Sequence, residues 1–404
     1  MDFNPLSPEF RQDPYPHYEH LREHAPVYEV PNFGIYTVSR YADVLSALKK
    51  PNVFSSEGMR ALMTGQTGIV GTSSNYDDEV AESDNLIASD PPVHDHLRNI
   101  VNRGFTPRAI SALEPRIRAI ADELTEAIVA NGERTDLVQQ LNVPLPVRVI
   151  SELLGVPAER YQEFKRWSDA VITTSTGVGD VEDPESLQAD RLALFEFLSE
   201  VVAARRKDPQ EDLISHLIVG GPTGQQLNDA EALGFAVLLL LAGNETTTNL
   251  LGNAIQALVQ HPDSLRKVME NPELIPAMLE ETTRWDGPVQ MLFRMTTEDV
   301  EIANTTIPSG RMVMLLLGSA NRDERQFEDA DRFDIVRRTS GHLGFGFGVH
   351  FCLGASLARL EARVALESLF ARCTNFALET DAVERVDSLI VRGPKALPLS
   401  FRPT

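Results

Sequence analysis

The chain of 404 residues is long enough to bury a large core, because 42% of its residues are hydrophobic. It is strongly acidic: 59 Asp and Glu residues against 37 Lys and Arg residues give a net charge of -22, which disfavours nucleic acids and anionic membranes as partners. Two cysteines exclude a disulfide framework. The start of the chain has no signal-peptide pattern, and the most apolar run, residues 233–243, is too short to span a bilayer. We therefore expect a soluble, cytoplasmic monomer.

The first half of the chain is predicted to be mostly helical. A helix at 14–24 precedes two short strands within 27–38 and a helix at 41–49. The tract 55–92 is rich in Gly, Ser, Thr and acidic residues, which predicts either a mobile wall of the active site or a disordered insert. Further helices are predicted at 93–102, 111–131, 144–154, 157–171 and 187–207, with 173–186 as a flexible connection.

In the second half, Asn228 and Glu231 have the spacing of a capping box and start the longest predicted helix, which ends near Gln260. No internal repeat or linker divides the chain, so we predict one mainly helical domain over residues 1–404 with a small β region. The remaining predicted elements are helices at 262–270, 276–285 and 353–371, strands within 289–317 and a terminal hairpin at 389–401.

The glycine-rich segment 344–354 contains Cys352, directly before a predicted helix. A helix N-terminus favours the thiolate, which is the metal-binding form of cysteine, and the glycines allow the backbone to approach a large flat group. The glycine spacing does not fit a dinucleotide-binding loop, and no cysteine-protease signature surrounds Cys352. Two interpretations remain: a buried structural cysteine, or the axial ligand of a haem iron.

Four residues of this segment, Phe345, Gly348, Cys352 and Gly354, fit the pattern Phe-x-x-Gly-x-x-x-Cys-x-Gly. This long and specific signature resembles the haem-binding loop of cytochromes P-450, and the resemblance extends over residues 13–398. It implies the cytochrome P-450 fold, mainly α with a small β region and a long central helix over the haem. It also implies haem b with Cys352 as the iron ligand, and places four residues against the haem: Phe345, Gly346, Gly354 and Ala242.

The predicted long helix carries a polar stretch, residues 242–247, inside an apolar segment. Taken alone, a helix–helix contact with a tolerated polar patch explains this stretch well. The stretch also resembles the oxygen-activation motif of the family, small–Gly–x–acid–Thr, with Glu245 in place of the commoner Asp. By that match, Thr246 steadies bound dioxygen and Glu245 helps to deliver protons.

An acidic protein that binds haem needs local positive charge for the two propionates. His94 and Arg98 are four residues apart and therefore share one helix face. Arg294 lies in the predicted strand region, and His350 precedes the cysteine by two residues. All four match positions that commonly hold propionates in the family. For each of them, a solvated surface residue is the alternative.

Glu281 and Arg284 are three residues apart on one predicted helix face. Exposed pairs with this spacing are common and usually contribute little to stability. The pair resembles the Glu-x-x-Arg pair of the family, and the segment 331–337 resembles the loop that completes its network. We therefore predict a buried, structural ion pair.

The face of the long helix that leads to Thr246 is apolar, which predicts a hydrophobic substrate such as a fatty acid, terpenoid, steroid or macrocycle. The resemblance to enzymes that oxidise substituted aromatic acids leaves those substrates as an alternative. In that case, Arg60 or Arg392 supplies the cation that the helix face lacks. The predicted wall consists of Phe235, Leu238, Leu239, Ala242, Val289, Leu292 and Ile390.

No segment of the sequence predicts a flavin or iron–sulfur site. The resemblance therefore implies a monooxygenase that receives electrons from a ferredoxin or flavodoxin and its NAD(P)H-dependent reductase. A peroxide-driven peroxygenase and a non-catalytic haem sensor or electron carrier remain alternatives, although neither accounts for the Glu245–Thr246 pair. We expect the carrier to dock on a basic patch formed by Arg103, Arg108, Arg359 and Arg363.

Overall fold

The computed structural model describes residues 3–31, 33–63, 84–176, 183–220, 224–380 and 382–404. Helices dominate these residues, and three small sheets accompany them. No helix within them is long and apolar enough to cross a membrane. The α-helices are Pro8–Gln12, Tyr15–His24, Tyr41–Leu48, Glu57–Met63, Val93–Val101, Pro107–Ala112, Glu114–Ala130, Pro144–Leu153, Tyr161–Thr176, Pro184–Lys207, Leu213–Ile218, Asp229–Gln260, Pro262–Glu270, Ile275–Trp285, Leu317–Ala320 and Ala355–Arg372.

The helix Asp229–Gln260, called the central helix below, organises the helical part of the fold. The predicted capping box starts it: Asn228 Oδ1 accepts from the Glu231 N–H at 2.9 Å, and the Glu231 carboxylate accepts from the Asn228 N–H at 2.8 Å. Its side chains are buried on several faces, because helices pack around it. Its neighbours include Pro144–Leu153, Pro184–Lys207, Ile275–Trp285 and Ala355–Arg372.

The strands are β1 Val27–Val30, β2 Ile35–Val38, β3 Phe54–Ser55, β4 Arg134–Asp136, β5 Met291–Thr296, β6 Val300–Ile302, β7 Thr305–Ile307, β8 Met312–Leu316, β9 Cys373–Leu378 and β10 Pro398–Pro403. They form a five-stranded, a three-stranded and a two-stranded sheet, in the orders β1-β2-β8-β5-β3, β4-β10-β9 and β6-β7. In the first sheet, β2 and β8 are parallel, and the other pairs are antiparallel. This sheet positions Arg294 and Leu292, which both lie on β5.

The mainly helical fold class is confirmed, and most predicted helices agree with the structure to within a few residues. The predicted loop 55–92 is wrong at its start, where Glu57–Met63 is a helix, and residues 64–83 lie outside the described residues. The predicted helix 111–131 is two helices, Pro107–Ala112 and Glu114–Ala130. The one-domain interpretation stays a prediction.

The predicted terminal hairpin at 389–401 is also wrong. Strand β10 pairs with β4 and β9, not with residues near 389. The chain reverses earlier, where the Val386 N–H donates to the Gly393 carbonyl at 3.0 Å. Local alternation and turn residues indicated strands in this region, but the partner strands lie far away in sequence, so local pattern did not identify them.

Candidate active site

One cavity brings most of the predicted site residues together. Its wall includes the central-helix residues 242, 243 and 245–247 and the cysteine-loop residues 344–346, 350 and 352–354. Ala242 and Cys352 have exposed surface, and both line this cavity. Met59, Met63, Leu86 and Ile87, which flank the segment 64–83, also line it. Residues of the 55–92 tract on either side of 64–83 therefore form part of the cavity wall, as the sequence predicted. The mobility of the tract stays a prediction.

The loop before Cys352 is shaped by its glycines. Gly348 has a φ of +73°, and a Cβ there would lie 2.7 Å from the Leu48 carbonyl oxygen, so only glycine fits without a shift. The Cys352 N–H donates to the Phe345 carbonyl at 2.9 Å, which closes the loop. The Arg359 guanidinium covers the Phe345 ring at 4.2 Å. Cys352 is thereby presented to the cavity just before the helix Ala355–Arg372.

Competing effects act on the pKa of the Cys352 thiol. Cys352 has accessible surface in the open cavity, but the protein around its sulfur still desolvates the thiolate and raises the pKa of the thiol. The N–H groups of Gly354 and Ala355 and the guanidinium groups of Arg98 and Arg359 lower that pKa. Burial is the larger effect, so the expectation that the helix terminus favours the thiolate describes only part of the balance. A metal ion bonded to the sulfur deprotonates such a thiol outright.

Four cationic or titratable side chains cluster beside the cysteine loop. Burial, followed by the charges of Arg294, His94 and Arg98, lowers the pKa of His350 to about 3. The His94 and His350 rings lie 4.3 Å apart. Burial lowers the pKa of Arg294 to about 10, although Asp90 partly offsets this. The structure thus brings all four predicted propionate residues close together.

This cluster and the loop fit a haem. His94 is 1% exposed and its Nε2 has no hydrogen-bond partner, so the protein alone leaves a buried donor or acceptor unsatisfied. Positive groups that are buried together need negative charge nearby, and the two propionate carboxylates of a haem would supply it. Gly354 lines the cavity, and a Cβ added there would meet no atom within 4 Å, which leaves open space for a flat group. Among the described residues, no cluster of three or more His, Cys, Asp or Glu side chains offers a competing metal site.

The central helix runs without interruption through its polar stretch. The Thr246 hydroxyl donates to the Ala242 carbonyl one turn earlier, at 2.6 Å. This leaves the lone pairs of the hydroxyl oxygen available in the cavity. Glu245 lines the same cavity. An acid and an alcohol are therefore adjacent at one place in the cavity wall.

The predicted ion pair Glu281–Arg284 is fully buried, with both side chains 0% exposed. Two parallel hydrogen bonds of 2.7 and 2.8 Å join the guanidinium to the carboxylate. Arg337 adds a third contact to Glu281 at 3.2 Å. Arg284 also donates to three carbonyl oxygens, at Asn321, Ala330 and Arg332. The pair therefore joins its helix to the segment before the cysteine loop, and it does not line the cavity.

The apolar wall is the part of the site that the sequence predicted most completely. All seven predicted side chains line the cavity. The two cations suggested for an acidic substrate do not belong to this wall. Arg392 is held by Asp286 at 2.8 Å and by the carbonyls of Arg11 and Gln12, and Arg60 pairs with Glu57 at 3.2 Å.

Two charged residues of the wall escaped sequence reasoning. Arg191, on the helix Pro184–Lys207, is 6% exposed and lines the cavity. Glu361, on the helix Ala355–Arg372, is 1% exposed, and burial raises its pKa to about 8. In each case, a charged residue replaces an apolar one in a helical stripe, since Leu194 and Leu198 follow Arg191, and Leu357 and Val364 flank Glu361. A charged residue within an otherwise apolar helical stripe was therefore the sequence signal that could have identified both residues.

The predicted basic patch on the cysteine side is largely neutralised. Arg359 binds Glu280 through two hydrogen bonds of 2.6 and 2.9 Å. Arg363 pairs with Glu114 and Glu367 at 2.8 and 2.9 Å. Arg103 donates to the carbonyls of Ile100 and Gln225. Acidic partners that lie far away in sequence therefore offset two of the four predicted arginines, and Arg108 stays exposed.

Comparisons with known proteins agree with this geometry. The family model for cytochrome P450 matches residues 70–401. The cytochrome P450 monooxygenase PikC of Streptomyces venezuelae is 38% identical over 100% of this chain and 94% of its own. The cyclomarin C epoxidase CymV of Salinispora arenicola is 41% identical over 95% of this chain and 94% of its own. The structure of CYP109Q5 from Chondromyces apiculatus superposes with a TM-score of 0.91 at 39% identity, covering 100% and 99% of the two chains. The chain is an oxidoreductase that belongs to the haem-binding cytochrome P450 monooxygenases.

Proposed function

We propose that the enzyme inserts one oxygen atom from dioxygen into a C–H bond of a hydrophobic small molecule. The observation that carries the proposal is one cavity whose wall holds both Cys352 and the apolar face of the central helix. The haem, when bound through a cysteine thiolate, supplies the oxygen-activating chemistry, because the anionic sulfur favours O–O cleavage. The protein then has to hold the cofactor, exclude water, position the substrate and supply protons.

The cofactor is held on two sides in this proposal. Cys352 provides the iron ligand from a loop whose shape Gly346 and Gly348, both at positive φ, make possible. Arg98, Arg294, His94 and His350 bind the propionates. Phe345, Gly354 and Ala242 pack against the ring. Five of these residues line one cavity, namely Arg98, His350, Phe345, Gly354 and Ala242. His94 and Arg294 lie beside His350, and the unpartnered His94 Nε2 further supports the assignment.

Proton delivery falls to Glu245 and Thr246. The Thr246 hydroxyl is fixed by the hydrogen bond that it donates to the Ala242 carbonyl, so its oxygen can accept a hydrogen bond from water in the cavity. Glu245, one residue earlier, can exchange protons with water in the same cavity. A peroxide-driven enzyme does not require this pair.

A matched pair of threonine variants tests the proton route. Thr246→Ala should lower the rate of product formation by roughly 100-fold or more while NADH consumption continues, because proton delivery typically contributes this much. Thr248→Ala is the control, since the Thr248 hydroxyl donates to the Asn142 carbonyl at 2.9 Å and does not line the cavity. Equal product yield per NADH in both variants contradicts the assignment.

Electrons come from a separate ferredoxin or flavodoxin with its NAD(P)H-dependent reductase in this proposal. The arginine pairs described above leave other groups for docking, among them the exposed cations Lys49, Lys50 and Arg108 and the exposed rings of Phe347 and Phe351. The Lys49 ammonium lies 5.3 Å from the centre of the Phe347 ring. Lys49→Glu should raise the carrier concentration needed for half-maximal turnover, whereas Lys395→Glu, at an exposed lysine that pairs with Glu384, should not.

The reaction itself is tested with isotopically labelled dioxygen. The holoenzyme, carriers and NADH are incubated with apolar probes that shift the spin state of the ferric haem. Label from dioxygen in the product supports the proposal. Label from water, or product formation that needs only peroxide, contradicts it.

A further inference from the structure

The cavity wall contains a carboxyl group that the proposed function does not use. Glu361 follows Cys352 by nine residues, on the helix Ala355–Arg372, and lines the same cavity. Leu357 and Ala358, one turn earlier on this helix, line the cavity as well. The other titratable or charged side chains that the structure describes in the wall are those of Arg98, Arg191, Glu245, His350 and Cys352. Glu361 and the cysteine therefore belong to one segment of the wall.

Glu361 is an acid that is buried without a partner. It is 1% exposed, and its Oε2 has no hydrogen-bond partner among the described residues. By contrast, the equally buried Glu281 is held by Arg284 and Arg337. Taking an unpaired carboxylate out of water is so costly that such a group stays protonated instead. Burial accordingly raises the pKa of Glu361 to about 8.

Among the described residues, no charged group on the neighbouring helices shifts the pKa of Glu361, because burial is the only cause that acts on it. The helix Ala355–Arg372 packs against Glu114–Ala130, Ile275–Trp285 and the central helix, which carries Glu245. The first two of these helices present five charged groups that form ion pairs with Arg359, Arg363, Glu367 and Arg372, namely Glu114, Arg118, Asp122, Glu126 and Glu280. On two further neighbours, Pro107–Ala112 and Pro144–Leu153, Arg108 is exposed, and Arg148 and Glu152 pair with the helix Glu114–Ala130.

We propose that Glu361 takes up a proton when the haem iron accepts its first electron, so that the reduction potential of the enzyme depends on pH. In this step the iron gains one electron from the carrier, and the Glu361 carboxylate gains one proton from solvent and forms an O–H bond. The electron adds a negative charge beside an anionic thiolate ligand, and added negative charge favours the neutral form of a nearby acid. The inference rests on the proposed function, since it requires the haem to be bound in this cavity through Cys352.

The size of the effect follows from the separation of the charges. Nine residues of helix correspond to roughly 13 Å, and a unit charge at that distance changes a proton affinity roughly tenfold at an effective dielectric constant of about 20. For a one-electron couple, a tenfold change corresponds to about 59 mV. The reduction potential should therefore fall by roughly this amount in total as pH rises through the pKa of Glu361, and it should be constant well below that pKa.

The test measures the midpoint potential of the ferric–ferrous couple in the substrate-free holoenzyme, at pH values on both sides of the pKa of Glu361. A spectroelectrochemical titration follows the Soret band, with no carrier protein present. The wild type should show the fall of about 59 mV. Glu361→Gln should stay at the potential that the wild type has at low pH, because its amide is uncharged throughout, and Glu361→Asp should retain a pH dependence.

Glu367→Gln is the matched control on the same helix. Glu367 pairs with Arg118 and Arg363 and does not line the cavity, so this variant should keep the full wild-type profile.

A wild-type potential that is constant over this pH range overturns the inference, and this result does not depend on how well any variant folds. The inference is also overturned if Glu361→Gln keeps more than half of the wild-type fall, because another group then titrates. Failure of the proposed function is recognised separately, by absence of the red-shifted Soret band of the reduced carbon monoxide complex, and it removes the inference as well. An enzyme that shows this band together with a constant potential overturns the inference and leaves the haem–thiolate assignment intact.

Discussion

Removal of Arg284 should destabilise the enzyme more than removal of any surface arginine. Arg284→Ala deletes two hydrogen bonds to Glu281 and three to backbone carbonyls, and four of these five are fully buried. Breaking a buried ion pair by removing one partner typically costs about 3–5 kcal/mol. Each carbonyl left without a donor adds about 1 kcal/mol or more. The expected loss, at least about 6 kcal/mol, is a large share of the roughly 5–15 kcal/mol that stabilises most proteins.

The matched control is Arg116→Ala. Arg116 also binds a carboxylate through two nitrogen atoms, that of Glu152, but the two side chains are 60% and 41% exposed. Solvent screening limits such a pair to about 1 kcal/mol or less. Urea unfolding is followed by circular dichroism and Soret absorbance, and the midpoints of the variants are compared. Arg284→Lys should recover only part of the loss, because it keeps the charge without the planar fork. Equal midpoint shifts for Arg284→Ala and Arg116→Ala refute the reasoning.

Two further predictions concern stability. Glu361→Gln should flatten the pH dependence of the free energy of unfolding. Burial raises the pKa of Glu361 from 4.5 to about 8. Between these two pH values the unfolded chain therefore binds fewer protons than the folded one. The stability of the wild type, relative to that of the Gln variant, therefore falls as pH rises through this window. Urea midpoints of both proteins at several pH values measure the difference, and midpoints that change with pH in parallel contradict the prediction. Asn228→Ala should cost about 1 kcal/mol by removing the cap of the central helix, and an unchanged urea midpoint contradicts this.

Sequence predicted the parts of the site that are contiguous or periodic. The cysteine loop, the Glu245–Thr246 stretch and the apolar face of the central helix are each contained in one segment, so local pattern is sufficient to locate them. The chemistry of the cysteine loop followed from resemblance, since a lone cysteine in a turn is as well explained by packing.

The parts that sequence missed depend on contacts between distant segments. The surface role predicted for Arg359 changes once the fold places Glu280 beside it. The burial of Arg191 in the cavity wall depends on the packing of its helix on the central helix, which the sequence does not show. Strand β10 likewise required knowledge of its partners, β4 and β9.

The central claim, that the sulfur of Cys352 binds the haem iron, is tested most directly by absorbance. The purified enzyme is reduced under carbon monoxide, and the position of the Soret band is recorded for the wild type and for two cysteine variants. The red-shifted band should be present in the wild type and in Cys373→Ala, because Cys373 is buried at the start of β9 outside the cavity wall. It should be absent in Cys352→Ala. A red-shifted band that persists in Cys352→Ala contradicts the account.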